Sequence, residues 1–103
     1  MCIRDRPEVQ QHLTEVLRRA VDDGFTYLKL DFLYAGAVPG RRFRDLPREQ
    51  VYREAVQRIR EAVGEDVYLL GCGVPMLPSV GVFDGVRVGP DTAAFWDLSL
   101  IHI

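Results

Sequence analysis

Two stretches of the chain repeat apolar residues at helical spacing, and three carry the shorter, denser apolar runs of strands. Residues 7–23, PEVQQHLTEVLRRAVDD, put Val9, Leu13, Val16, Leu17, Ala20 and Val21 on one stripe of a helix. Pro7 suits its first position and Gly24 its stop, while Arg6 is a poor N-cap. Residues 47–63 repeat the pattern between Pro47 and Gly64, with Val51, Ala55, Val56, Ile59, Ala62 and Val63 as the inward stripe. Strands are predicted over 25–32, 67–71 and 82–88. A loop of about fifteen residues, YAGAVPGRRFRDLP, separates the first strand from the second helix, and loops of that length often carry function. CGVPMLPSVG links the last two strands, with room for a helical turn.

The order helix, strand, helix, strand, strand predicts an α/β fold with a parallel sheet and helices outside it. One link departs from that plan. A parallel crossover needs a dozen residues or more, and the last one barely has them.

Composition narrows the class. The chain has 103 residues, 48% hydrophobic and 27% charged, enough for one small domain. Its net charge of −2 is mixed in sign along the sequence, so neither nucleic acid nor a charged tail is indicated. No apolar run is long enough to span a membrane. Two cysteines, Cys2 and Cys72, are too few for a disulfide framework or a four-ligand zinc site, and they favour a reducing, cytoplasmic setting. The ends, MCIRDR and DLSLIHI, continue no neighbouring element and resemble translated adapter sequence. On that reading residues 1–6 and 97–103 are non-native tails, and 7–96 is a piece of a longer protein.

The chemistry lies in the strands. In FTYLKLDFLYAG, alternation puts Tyr27, Lys29 and Asp31 on one face and Leu28, Leu30 and Phe32 on the other. The apolar face would pack on helices, leaving Lys29 and Asp31 in a sheet interior where unpaired charge is costly. Taken alone, a structural ion pair explains that more readily than catalysis does. Asp31, however, ends its strand, where α/β folds build their sites. The third strand repeats the feature, with Arg87 inside and Asp91 just past the end in a GPD turn. Two carboxylates at one rim suit chemistry at a sugar carbon, one attacking and one protonating the leaving oxygen.

Cys72, in GCG at 71–73, reaches the same rim as a packed strand end or as a pocket wall. Cysteine catalysis would need a histidine base, and neither His12 nor His102 is placed to serve. Gly71 and Gly73 allow close backbone approach. Phe32, Tyr34, Phe95 and Trp96 stand near the rim as core residues or as sugar platforms. Arg41, Arg42 and Arg44 read as a solvated loop surface.

Three blocks, YLKLDFLYAGAVPG, LLGCGVPMLPSVG and DGVRVGPDTAAFW, resemble consecutive segments of the microbial α-galactosidases of glycoside hydrolase family 36, clan D. The likeness runs collinearly through nearly all of 7–96. It implies a partial (β/α)8 TIM barrel holding about strands 4–6 with helices 3–4, including the short link between the last two strands. It implies Asp31 as nucleophile, Asp91 as acid/base, and Lys29, Cys72 and Arg87 as residues lining the galactose subsite. Ala94 stands where the family usually has proline. The implied activity is retaining hydrolysis of terminal α-linked galactose from oligosaccharides by double displacement, with the carboxyl groups about 5–5.5 Å apart. No metal or organic cofactor is implied, a homo-oligomeric parent is allowed, and the isolated piece is expected to be inactive. Competing readings are a clan-related α-N-acetylgalactosaminidase, a raffinose or stachyose synthase-like galactosyltransferase, and a non-catalytic sugar-binding or structural module.

Overall fold

The computed structural model describes residues 6–91. The expected tails beyond Arg6 and from 97 onward, with Ala94, Phe95 and Trp96, lie outside those residues. The order is α1 (Pro7–Asp22), β1 (Tyr27–Leu30), a 3-10 turn (Leu33–Gly36), α2 (Arg48–Val63), β2 (Tyr68–Cys72), α3 (Met76–Ser79) and β3 (Gly85–Arg87). The strands form one parallel sheet in the order β1-β2-β3. The short link of residues 73–84 therefore does make a parallel crossover, using the single helical turn of α3.

The helices fall close to their expected limits, and each begins at a proline, Pro7 inside α1 and Pro47 at the cap of α2. Neither has a side-chain N-cap hydrogen bond, as Arg6 and Pro47 can provide none. Their inward stripes differ from expectation. In α2 the buried residues are Val51, Tyr52, Val56 and Val63, while Ala55, Ile59 and Ala62 are half-buried. Tyr52 was not expected there, because its hydroxyl needs a partner. Ser79 of α3 supplies one at 2.7 Å. The Ser79 hydroxyl donates to the Pro75 carbonyl at 2.6 Å, so Tyr52 donates to Ser79. Burial pushes the Tyr52 phenol up, which keeps that proton in place.

Two apolar clusters join the layers. Tyr52, Val56 and Val82 pack with Leu33, Ala37 and Phe83. Val63, Val67 and Leu69 pack with Leu17, Val21, Leu28, Leu30, Ile59 and Phe83. Phe83 touches both. α1 has no fully buried residue, and Leu13 and Val16 of its stripe line an open groove of about 360 Å³ between α1, α2 and the end of β1.

The strands are shorter than the sequence pattern suggested. β1 ends at Leu30, and Phe32 does not join Leu28 and Leu30 on the apolar face. It takes a left-handed backbone, φ 54° and ψ 29°, and is 66% exposed. β3 is confined to Gly85–Arg87, and Asp84 just before it bonds Leu69 of β2 through both its backbone N–H and its carboxylate. Its carboxylate accepts the Leu69 N–H at 2.7 Å and the Arg60 guanidinium at 2.5 Å. Arg60 also donates to the carbonyls of Val82, Gly64 and Val67. One side chain of α2 thereby holds the entries of β2 and β3. Gly71 is required at the centre of the sheet, since a Cβ there would lie 2.8 Å from Val74 and 3.1 Å from Phe83.

Candidate active-site rim

Register places the functional side chains. Parallel partners share a face, so Tyr27 lies beside Tyr68, Lys29 beside Leu70 and Gly85, and Cys72 beside Arg87. The lower part of this face is closed by Tyr27 and Tyr68, stacked at 5.1 Å with planes 5° apart. The charged groups occupy its C-terminal end.

Asp31 follows β1 directly. Its two oxygens have different surroundings. Oδ1 accepts the backbone N–H of Phe32 at 2.7 Å, an arrangement that accompanies the left-handed turn at Phe32. Oδ2 faces two cations, Lys29 Nζ at 3.7 Å and Arg87 Nη2 at 3.9 Å. Asp91 is brought to the same guanidinium, its Oδ1 accepting from Arg87 Nη1. Arg87 is thus the meeting point of carboxylates from two strands. Its Nε is buried and has no hydrogen-bond partner among the described residues.

Lys29, Asp31, Arg87 and Asp91 therefore come together as the sequence suggested. Cys72 shares their face but is wholly buried, 0% exposed, beneath the rim rather than open at it. Arg87 is the last residue of β3, not a mid-strand one. The Arg87–Asp91 contact is local, four residues apart, but the approach of Arg87 to Asp31 across β2 was not legible, because it depends on the β1–β2 and β2–β3 registers together. The arginine loop is only partly a solvated surface. Arg44 pairs with Glu54 at 2.5 Å and holds its carboxyl below the usual range, Gln50 assisting. Arg42 donates to the Val38 carbonyl at 2.9 Å.

Of the four rim aromatics, Phe32 and Tyr34 lie among the described residues. Phe32 and Tyr34 are exposed, 66% and 53%, and meet edge to face at 6.4 Å. They are not core. The Tyr34 N–H donates to the Gly73 carbonyl at 2.7 Å, which ties the turn after β1 to the end of β2. Gly73 has φ 57°, and a Cβ there would meet the Tyr34 ring at 3.3 Å. Among the described residues no cluster of His, Cys, Asp and Glu could hold a metal, and no helix is long and apolar enough to cross a membrane.

A parallel α/β sheet with charged side chains gathered at the C-terminal strand ends is the arrangement of a fragment of a TIM-barrel enzyme. Among solved structures, TtGalA, an α-galactosidase from Thermus thermophilus in complex with stachyose, is 48% identical and superposes with a TM-score of 0.77. The match covers 91% of this chain and 19% of TtGalA. The chain is therefore related to the α-galactosidases and matches a fragment of one. No family model matches the sequence.

Proposed function

We propose that the chain is the part of a retaining α-galactosidase that carries both catalytic carboxyl groups. Residues 7–96 then correspond to about strands 4–6 and helices 3–4 of a (β/α)8 barrel. The observation that carries this reading is the convergence of Asp31 and Asp91 on Arg87 at the C-terminal rim. The likeness to TtGalA, which binds stachyose, supports galactose as the sugar and an oligosaccharide as the substrate.

The geometry suggests a division of labour among the oxygens. Phe32 holds Asp31 Oδ1, which leaves Oδ2 to attack the anomeric carbon. Arg87 holds Asp91 at the rim through Oδ1, and Asp91 serves there as the acid/base. As the Asp31–carbon bond forms, the bond to the leaving oxygen breaks and takes the Asp91 proton. Asp91 then removes a proton from water, whose oxygen displaces Asp31 and releases galactose. Lys29 and Arg87 supply donors for sugar hydroxyls, and Cys72 supports the floor between them. The chain's residues need no metal or organic cofactor for these steps.

The test uses TtGalA in which this chain replaces the segment that it matches. In that chimera, Asp91→Ala is expected to lower kcat/KM for stachyose by roughly 10²–10⁴-fold, the usual worth of general acid catalysis. α-Galactosyl fluoride, whose leaving group needs no proton, should lose far less. Azide should restore turnover of the fluoride and give α-galactosyl azide. Equal losses on both substrates would remove Asp91 from the acid/base role.

A further inference from the structure

We propose that Phe32 and Tyr34 form an aromatic subsite for the sugar on the leaving-group side of the scissile bond. The proposal rests on the α-galactosidase reading and adds to it which residues of this chain meet the second sugar.

Four observations converge on this pair. Both rings are large, apolar and exposed at the rim, although one flanks Asp31 directly and the other is two residues further on. They are oriented toward each other as a T-shaped pair at 6.4 Å, so they present one continuous wall and not two scattered rings. Their positions are built rather than incidental. Phe32 adopts a left-handed backbone, uncommon for a bulky residue, and its N–H is engaged by Asp31 Oδ1. Tyr34 is fastened to the end of β2 through its N–H bond to Gly73 and packs at the Cβ-free face of that residue. Finally, TtGalA holds stachyose, an oligosaccharide that extends beyond one ring.

Depth decides which sugar the wall meets. Lys29, Cys72 and Arg87 belong to the strands or their last residues, and Asp31 Oδ2 points at two of them. The sugar whose anomeric carbon faces Oδ2 sits over those groups. Phe32 and Tyr34 stand beyond the end of β1, in the 3-10 turn and its cap, and are exposed in this chain. They are placed for the next unit outward. A pyranose has an apolar face of C–H groups, and the ring wall offers it contact without a fixed hydrogen-bond pattern. The wall therefore suits a sugar leaving group in general, and one linkage no more than another.

The test compares a substrate with a sugar leaving group, stachyose, against α-galactosyl fluoride, which has none, in the TtGalA chimera. The measured quantity is the ratio of their kcat/KM values. Phe32→Gly removes the ring while keeping the N–H and the left-handed backbone, so Asp31 stays held. Phe32→Gly and Tyr34→Ala should each lower the ratio roughly three- to tenfold, the scale of one lost aromatic contact. In Tyr34→Phe the ring remains and the ratio should return to that of the unsubstituted chimera. A ratio unchanged in both ring-deleting variants overturns the subsite. So does an equal loss on both substrates, which would mean that the pair acts only by positioning Asp31. An unsubstituted chimera inactive on both substrates overturns the catalytic reading itself, and the subsite with it.

Discussion

Replacing Asp31 by alanine in the TtGalA chimera is expected to cut turnover of stachyose by roughly 10⁴–10⁶-fold, the scale seen when a nucleophile of a coupled catalytic group is removed. The size follows from the chemistry. On the proposed retaining mechanism, no glycosyl–enzyme bond forms without Asp31 Oδ2, and Asp91 alone assists only a slow direct displacement. The fold should survive, because Asp31 is at the rim and its backbone partner is its own neighbour. Azide, small enough for the space left by the carboxylate, should partly restore the reaction and give β-galactosyl azide. That product has the configuration opposite to the one expected from Asp91→Ala, so the two variants assign the two faces of the sugar separately. Circular dichroism melts separate this outcome from the rival explanation. A purely structural Lys29–Asp31–Arg87 cluster predicts unfolding in Asp31→Ala, with no rescue by azide.

The second large effect is on stability. Arg60→Ala in the same chimera should lower the unfolding free energy by about 1–3 kcal/mol, since it leaves the part-buried Val82 and Val67 carbonyls without their donor and removes a packed side-chain stem. Arg60 is the element that spans three backbone carbonyls and one carboxylate, with its side chain only 12% exposed. Lysine should not replace it, because an ammonium has three donors on a narrow point and the four acceptors are spread around a planar fork. Denaturant midpoints for Arg60→Ala and Arg60→Lys give the comparison. A loss under about 0.5 kcal/mol, the range of ordinary surface substitutions, would show that Arg60 is not the clamp.

The same cluster sets a pH dependence. The Leu69 N–H first, and Arg60 second, hold the Asp84 carboxyl below its usual range. A group whose folded pKa is lowered stabilises the fold above its unfolded value, near 3.9, and that contribution is lost as pH falls through the folded pKa. Acid unfolding should therefore begin at higher pH in Arg60→Ala than in the parent. Asp84→Asn should flatten the acid limb, since the titrating group is gone.

Much of this was legible in the sequence. The helices were marked by 3.6-residue periodicity and by their prolines, and both fell within a residue or two of expectation. The alternation in YLKL fixed which residues of β1 face the helices, as the packing of Leu28 and Leu30 bears out. The likeness to α-galactosidases, carried by three spaced blocks, was borne out by TtGalA. The misses have a common origin. Phe32 continued the alternation on paper but left it in space, because the chain turns left-handed there to engage Asp31. Tyr52 broke the aliphatic stripe of α2, and only the Ser79 hydroxyl, 27 positions away, makes its burial affordable. Asp84 looked like a strand residue until its carboxylate was seen to cap β2.

The sequence by itself determined the order of elements, the parallel sheet, the face of each strand and the residue types that could act. Those follow from local periodicity, which a chain carries residue by residue. The tertiary structure decided what meets what: Arg87 between Asp31 and Asp91, Arg60 across two strand entries, and Phe32 against Tyr34 at an open rim. These contacts depend on register between distant segments and on backbone turns that no periodicity encodes. The rim is therefore written in the sequence as residue types and assembled as a site only by the sheet.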